Sequence, residues 1–152
     1  ASNVNKAMTL IFETGVPFIS RGDDSGTHKK EITLWGHANL DPKYFGDWYK
    51  SVGSGMGSAL NMSASMKAYV LSDRASWLNF KNKSDLMILF SDEALLFNQY
   101  SFIPVSTSKH KHVKFKLAKK LEDWLTSPSA QLIIDSYQIN GESLFKFNAS
   151  NK

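Results

Sequence analysis

The sequence predicts an alternating α/β fold. Short apolar runs of strand length, residues 16–20, 68–71 and 86–90, are separated by longer stretches with helical spacing. The breaks between them carry glycine, serine, aspartate and proline, the residues that start and stop helices. With 152 residues, 42% apolar and 12% aromatic, the chain has enough apolar side chains for a packed core and is not a disordered segment. The expected arrangement over residues 16–90 is a three-layer lobe around a mostly buried central sheet.

Taken in order, Val16, Pro17, Phe18, Ile19 and Ser20 read as a short buried strand. Residues 25–38 read as a helix, with Ile32 and Trp35 spaced by three on one face. Asp41 and Pro42 open a second helix, proline being tolerated in the first turn, and Tyr44, Phe45, Trp48 and Tyr49 give it an aromatic face. The cluster Gly53, Ser54, Gly55, Met56 and Gly57 breaks that helix, and a third follows over residues 58–66. Residues 68–71 form a strand, and Ser72 with Asp73 caps a short helix through Leu78. Residues 86–90 read as another buried strand and residues 97–105 as an extended segment. An amphipathic helix spans residues 114–125, and Ser127 with Pro128 starts a last helix through Ile134. Gly141 ends it, and residues 144–147 close the chain as an extended piece.

Composition narrows the chemistry. The chain has no cysteine, which excludes disulfides, thiolate metal sites and cysteine nucleophiles. No apolar run reaches the length of a membrane span. A net charge of +4 mildly favours anionic partners. The basic stretch at residues 109–120 does not read as a nucleic-acid surface, because Val113, Phe115, Leu117, Leu121, Trp124 and Leu125 interleave with its lysines as an apolar stripe. His110 and His112 have no carboxylate or cysteine beside them, so no metal site is expected. No nucleophile with a neighbouring base and no carboxylate pair stands out, so the chain is not read as an enzyme.

The chemistry concentrates in Ser20, Arg21, Gly22, Asp23, Asp24, Ser25, Gly26 and Thr27. The order is strand, tight polar turn, helix N-terminus. The first N–H groups of a helix lack intrahelical partners, and the aligned peptide dipoles place about half a positive charge there. Arginine adds a permanent charge on a planar fork of donors. Such a set suits an acceptor-only oxyanion, with Arg21 as the charged contact, Ser25 and Thr27 as hydroxyl donors and the backbone near Gly26 as a nest. Asp24 is assigned to capping the helix, and Asp23 to an Asx turn or to orienting Arg21. His28, Lys29 and Lys30 in the first turn oppose the helix dipole unless an anion lies nearby. Gly55 and Gly57 precede the next helix and are the second candidate contact, against the alternative of a helix C-cap and tight turn.

This run, with His28, Lys29, Lys30 and Glu31 after it, resembles a signature of tungstate-binding proteins, the solute receptors of bacterial tungstate ABC importers. Trp48 and Tyr49, then Gly55, Met56 and Gly57, then residues 68–74, 96–100 and 123–128 are similar to the same family in the same order. The family's earlier Thr/Ser-rich signature has no counterpart, so the chain resembles the later half or more of such a receptor. The resemblance implies a type II periplasmic-binding-protein-like fold with its first lobe largely missing. It implies a second, ligand-binding lobe at residues 1–96, and a return strand and C-terminal helices at 97–152 that pack largely on the first lobe. Tungstate or molybdate is the implied ligand, held without cofactor, metal or covalent step; the resemblance points most directly at Arg21 and Thr27, and the other candidate contacts are Ser25, Gly26, Ser20, Gly55 and Gly57. The implied partner is an ABC permease, not nucleic acid, and the implied location is periplasmic or lipid-anchored outside the cytoplasmic membrane. The alternatives are a receptor for another oxyanion and the effector-binding domain of a transcription regulator, which shares the fold. With its partner lobe absent, the chain is expected to self-associate through residues 97–137 or to repack them.

Overall fold

The computed structural model of the chain describes residues 1–91 and 94–149. Asp92 and Glu93 of the first expected domain, and Ser150, Asn151 and Lys152 of the second, lie outside the described residues. The chain divides into two compact units, Ala1–Phe97 and Asn98–Lys152.

The first unit opens with helix α1 (Val4–Thr14), which the sequence reading did not include. Its signals are ordinary ones. Asn3 Oδ1 accepts from Lys6 N at 2.9 Å, and Gly15 ends the helix with φ 60. Strand β1 (Phe18–Ser20) follows and is wholly buried. It is the centre of a parallel three-stranded sheet with order β2-β1-β3, where β2 is Tyr49–Ser51 and β3 is Tyr69–Val70. The register pairs Phe18 with Tyr49 and Tyr69, and Ile19 with Lys50 and Val70.

Successive strand residues face opposite sides of a sheet. Phe18 accordingly joins one core with Val4, Met8 and Ile11 of α1 and Leu34 and Trp35 of α2 (Gly26–His37). Ile19 joins the other, with Met56, Ala59 and Leu60 of α3 (Met56–Met66) and Ala68. The result is a three-layer α/β lobe. Each fully buried apolar side chain of this kind contributes about 1.5–3 kcal/mol. Trp35 is the hub of the first core, with the rings of Phe18, Phe45, Trp48 and Tyr49 at 4.9–6.4 Å.

Three expectations in this unit fail. Asp41 caps only the 3-10 turn Pro42–Tyr44, and the aromatic run ends in strand β2, not in a helix. A buried central strand needs backbone partners on both edges. The segment after Trp48 supplies one of them, with Phe18 N donating to Trp48 O at 2.9 Å and Val52 N to Ser20 O at 3.0 Å. The segment at residues 86–90 forms no strand, and its Met87 is 71% exposed. Apolar composition alone cannot make a strand where no neighbour pairs its backbone. Ile32 is exposed, because the buried face of α2 is Glu31, Leu34 and Trp35.

The short helix α4 (Arg74–Asn79) follows β3, with Asp73 accepting from Ser76 N at 2.8 Å as expected. The second unit holds α5 (Phe115–Leu125) and α6 (Pro128–Ser136), the latter capped by Ser127, whose Oγ accepts from Ala130 N at 3.3 Å. A hairpin of β4 (Gln138–Ile139) and β5 (Glu142–Ser143) turns through Asn140 and Gly141, with φ 55 and 80. Positive φ at both central residues is the requirement of a two-residue hairpin turn. Gly141 therefore makes this turn, α6 ends earlier, at Ser136, and the segment at 144–147 forms no strand. Residues 97–105 form no strand either. The stripe on α5 is not core: Leu117, Leu121 and Trp124 are exposed.

Candidate functional site

Three parallel strands end at one edge of the sheet, and each runs through a short turn into a helix N-terminus. Residues 21–25 join β1 to α2, residues 52–55 join β2 to α3, and residues 71–73 join β3 to α4. Helix α2 packs on the Phe18 face and α3 on the Ile19 face, so consecutive crossovers leave on opposite sides of the sheet. Such a switch opens a crevice beyond the carboxyl ends of the strands, the usual ligand position in open α/β sheets. The first two turns are tied together, Ser54 N donating to Arg21 O at 3.3 Å. Gly22 has φ +60, and a Cβ there would lie 1.6 Å from Ser51 Oγ, so this close approach requires glycine.

The first turn is ordered by its own polar groups. Ser25 caps α2, its Oγ accepting from His28 N at 3.3 Å. Its hydroxyl also lies beside the Asp23 carboxylate, whose ionised form it favours. Asp24 is not the cap: it takes φ 58, and its carboxylate pairs with Lys29 Nζ at 3.3 Å. A cap residue needs extended backbone, which Ser25 has, with φ -69 and ψ 170. Asp23 fulfils both of its expected roles. Its Oδ1 accepts from Ser25 N at 3.3 Å and its Oδ2 from Arg21 Nη2. Ser25 and then the Arg21 fork hold its carboxyl down at about 2. Arg21 is thus held in place by a carboxylate that stays ionised.

Ser20 is fully buried and the Arg21 side chain is 18% exposed. Ser20 Oγ and Arg21 Nε are both buried without a hydrogen-bond partner. Buried donors left unpaired cost free energy; Ser20 Oγ lies against Glu31 and Tyr49, and Arg21 Nε is the donor left without an acceptor in the turn. Thr27 is half-buried at the start of α2 and Gly26 is exposed. Gly55 is the N-cap residue of α3 and Gly57 lies in its first turn, both exposed. That cap makes no side-chain hydrogen bond, which leaves first-turn N–H groups free of a side-chain acceptor. No helix precedes the Gly53–Gly57 cluster, so it is a strand-to-helix turn and not a C-cap. The lysines of the first turn of α2 have protein partners, Lys29 pairing with Asp24 and Lys30 Nζ donating to Leu95 O at 3.3 Å, and His28 Nδ1 accepts from Asp24 N at 3.1 Å.

Two groups beneath the turn are not among the site residues expected from the sequence. Glu31 of α2 is 2% exposed, and its Oε1 accepts from Tyr49 OH at 2.6 Å and Trp35 Nε1 at 3.1 Å. Burial pushes the Glu31 carboxyl up, opposed by Tyr49, Ser20, Trp35 and His28. Ser20 Oγ therefore lies close to this carboxyl without hydrogen-bond geometry to it. Burial and the neighbouring Glu31 push the Tyr49 hydroxyl up as well. The only sequence signal was a glutamate one helical turn after Thr27, on the same face. Among the described residues, no group of three or more His, Cys, Asp or Glu side chains is placed to hold a metal.

Residues 5–129, which include the parallel sheet and the three helix N-termini at one of its edges, match the PBP superfamily domain. The chain belongs to that superfamily, as a partial lobe of a type II PBP fold. It is 42% identical over 146 residues to the tungstate-binding protein TupA of Peptoclostridium acidaminophilum, covering 95% of this chain and 50% of that protein. The structure of the tungstate-binding protein TupA from Desulfovibrio alaskensis G20 is similar, with TM-score 0.85 and 35% identity over 97% of this chain and 61% of that one. The tungstate ABC transporter structure from Geobacter sulfurreducens is similar at TM-score 0.70 and 43% identity, over 90% of this chain and 57% of that one. The chain spans about half the length of the curated relatives it matches.

Proposed function

We propose that this chain is the ligand-binding part of a tungstate receptor that delivers its oxyanion to an ABC importer outside the cytoplasmic membrane. The observation that carries the reading is the turn from β1 to α2. It sets an unpartnered buried donor, Arg21 Nε, beside a helix N-terminus. Its relatives named as tungstate-binding match over nearly the whole chain. Arg21 carries the charge, Thr27 and Ser25 donate hydroxyls, and the backbone at Gly26, Gly55 and Gly57 completes the shell with Ser20 behind it. Tungstate carries no proton at neutral pH, so a shell of donors satisfies it. The ligand is bound and released unchanged.

The unit Ala1–Phe97 is the ligand lobe in this reading, and α5 and α6 belong to helices that pack on a first lobe. The exposed Leu117, Leu121, Trp124, Leu132, Ile133 and Tyr137 are the faces that such a lobe would cover. No helix among the described residues is long and apolar enough to cross a membrane. The permease is the partner, and the receptor meets it from the periplasmic or lipid-anchored side. Calorimetric titration of the complete receptor with tungstate, molybdate, sulfate and phosphate tests the reading. Tungstate binding that Arg21→Ala weakens supports it, and the absence of oxyanion binding overturns it.

A further inference from the structure

Resting on that reading, we propose that Glu31 is a proton-coupled positioning residue of the oxyanion site, which braces the Arg21–Thr27 turn from below and takes up one proton when the anion enters. Glu31 lies one helical turn beyond Thr27 on the inward face of α2, so the carboxyl sits directly behind the residues proposed to hold the ligand. Its hydrogen bonds tie β2 to α2, and the end of β1 lies against it. Tyr49 OH reaches it from β2 and Trp35 Nε1 from its own helix, and Ser20, at the end of β1, lies against it. Ser20 is the residue that leads into Arg21. The carboxyl therefore anchors β2 and α2 to each other directly beneath the strand end that leads into Arg21.

The same position gives it a charge role. The titratable groups facing it are Tyr49 from β2 and His28 from α2. β1 presents Ser20, and α1 presents the apolar Val4, Met8 and Ile11 to the neighbouring core. Above it, Arg21 and Asp23 are paired with each other. The donors to Glu31 Oε1 are thus neutral, and its burial already favours the protonated acid. A dianion at the N-terminus of α2 adds negative charge nearby and favours that acid further. Binding linkage is reciprocal, so a proton on Glu31 must strengthen anion binding by the same factor.

The experiment is calorimetry of tungstate binding to the complete receptor at pH 6–9, in Tris, imidazole and HEPES, which differ in ionisation enthalpy. The expected result is proton uptake of up to one per anion, with affinity falling as pH rises by at most about tenfold per unit, the limit for one proton. Glu31→Gln keeps the shape and an acceptor for Tyr49 and Trp35, and should bind with no uptake and no such slope. His28→Gln should keep the uptake, since the proton goes to Glu31. Tyr49→Phe removes a donor that holds the Glu31 carboxyl down, so the uptake range should move to higher pH. This arm decides the matter if the Gln variant does not fold. Binding without uptake, equal uptake in wild type and Glu31→Gln, or an unmoved range in Tyr49→Phe overturns the inference alone. No tungstate binding at any pH overturns the oxyanion reading and this inference with it.

Discussion

Arg21 emerges from a fully buried strand end with one arm committed to Asp23 and its Nε unpaired. An arginine pinned in this way meets an anion without first losing side-chain freedom. Arg21→Ala should weaken oxyanion binding to the complete receptor by about 1.5–3 kcal/mol, the usual value for a charge-assisted hydrogen bond. Arg21→Lys should recover part of that, because the fork is lost and the charge is kept; calorimetry reads both. Gly22 is fixed by its left-handed φ of +60 and by Ser51 beside it. Gly22→Ala should lower stability by about 1–3 kcal/mol in urea unfolding. Glu31 gives a pH signature in stability. Its folded carboxyl titrates above the ordinary 4.5, so between that value and its folded one the native state holds a proton that the unfolded chain has lost. Stability should therefore fall as pH rises through that window and level off above it, and Glu31→Gln should remove the slope. Arg21 and Thr27 could be proposed from the sequence because backbone order and donor chemistry both point to them. Glu31 was not, because a glutamate in a lysine-rich turn looks like a solvated charge until its burial is known.

Side-chain caps mark three of the expected helices, although Asn3 also caps α1, which the sequence reading did not include, and α3 and α5 were expected without one. Ser25, Asp73 and Ser127 each start a helix where expected, with the hydroxyl or carboxylate accepting from an N–H three residues on. Ser25 caps α2 and is a proposed anion contact, and substitution can separate the two. Ser25→Ala should cost about 0.5–2 kcal/mol of stability, and Ser25→Gly only a few tenths, since glycine is tolerated at the cap. Both should weaken oxyanion binding, because both lack the hydroxyl. Thermal unfolding and calorimetry on the two variants check this; equal binding by wild type and Ser25→Gly would remove Ser25 from the site. Strands were less legible. The three residues of β2 carry a tyrosine, a lysine and a serine with no apolar alternation, and only the unpaired edge of β1 recruits them. The run at 86–90 had the composition of a strand and lacked a neighbour.

At the scale of the molecule, the two units differ in how much they bury. Both cores, around Trp35 and around Ile19, lie in Ala1–Phe97, while α5 has no buried residue. If the apolar faces of α5 and α6 belong against another lobe, the 152-residue chain alone should self-associate through them. It should also bind tungstate far more weakly than the complete receptor, because part of the donor shell is missing and no closure excludes water. Light scattering for mass and calorimetry for affinity test the two halves of this statement. A monomer with the receptor's full affinity would contradict both.

The sequence by itself determined the α/β class, the helices that start at Ser25, Asp73 and Ser127, and the turn from Ser20 to Thr27 with its donor chemistry. Those properties are local: a cap, a glycine or an arginine acts on groups within a few residues of itself. The tertiary structure alone decided that Tyr49 belongs to a strand, that Gly55 and Gly57 open a helix at the same sheet edge as Arg21, and that Glu31 is buried beneath them. Each of these depends on a partner distant in the chain. The physical reason is that β1, buried on both faces, must pair both of its edges. Meeting that demand gathers the neighbouring strands, and with them the helix N-termini, at one crevice.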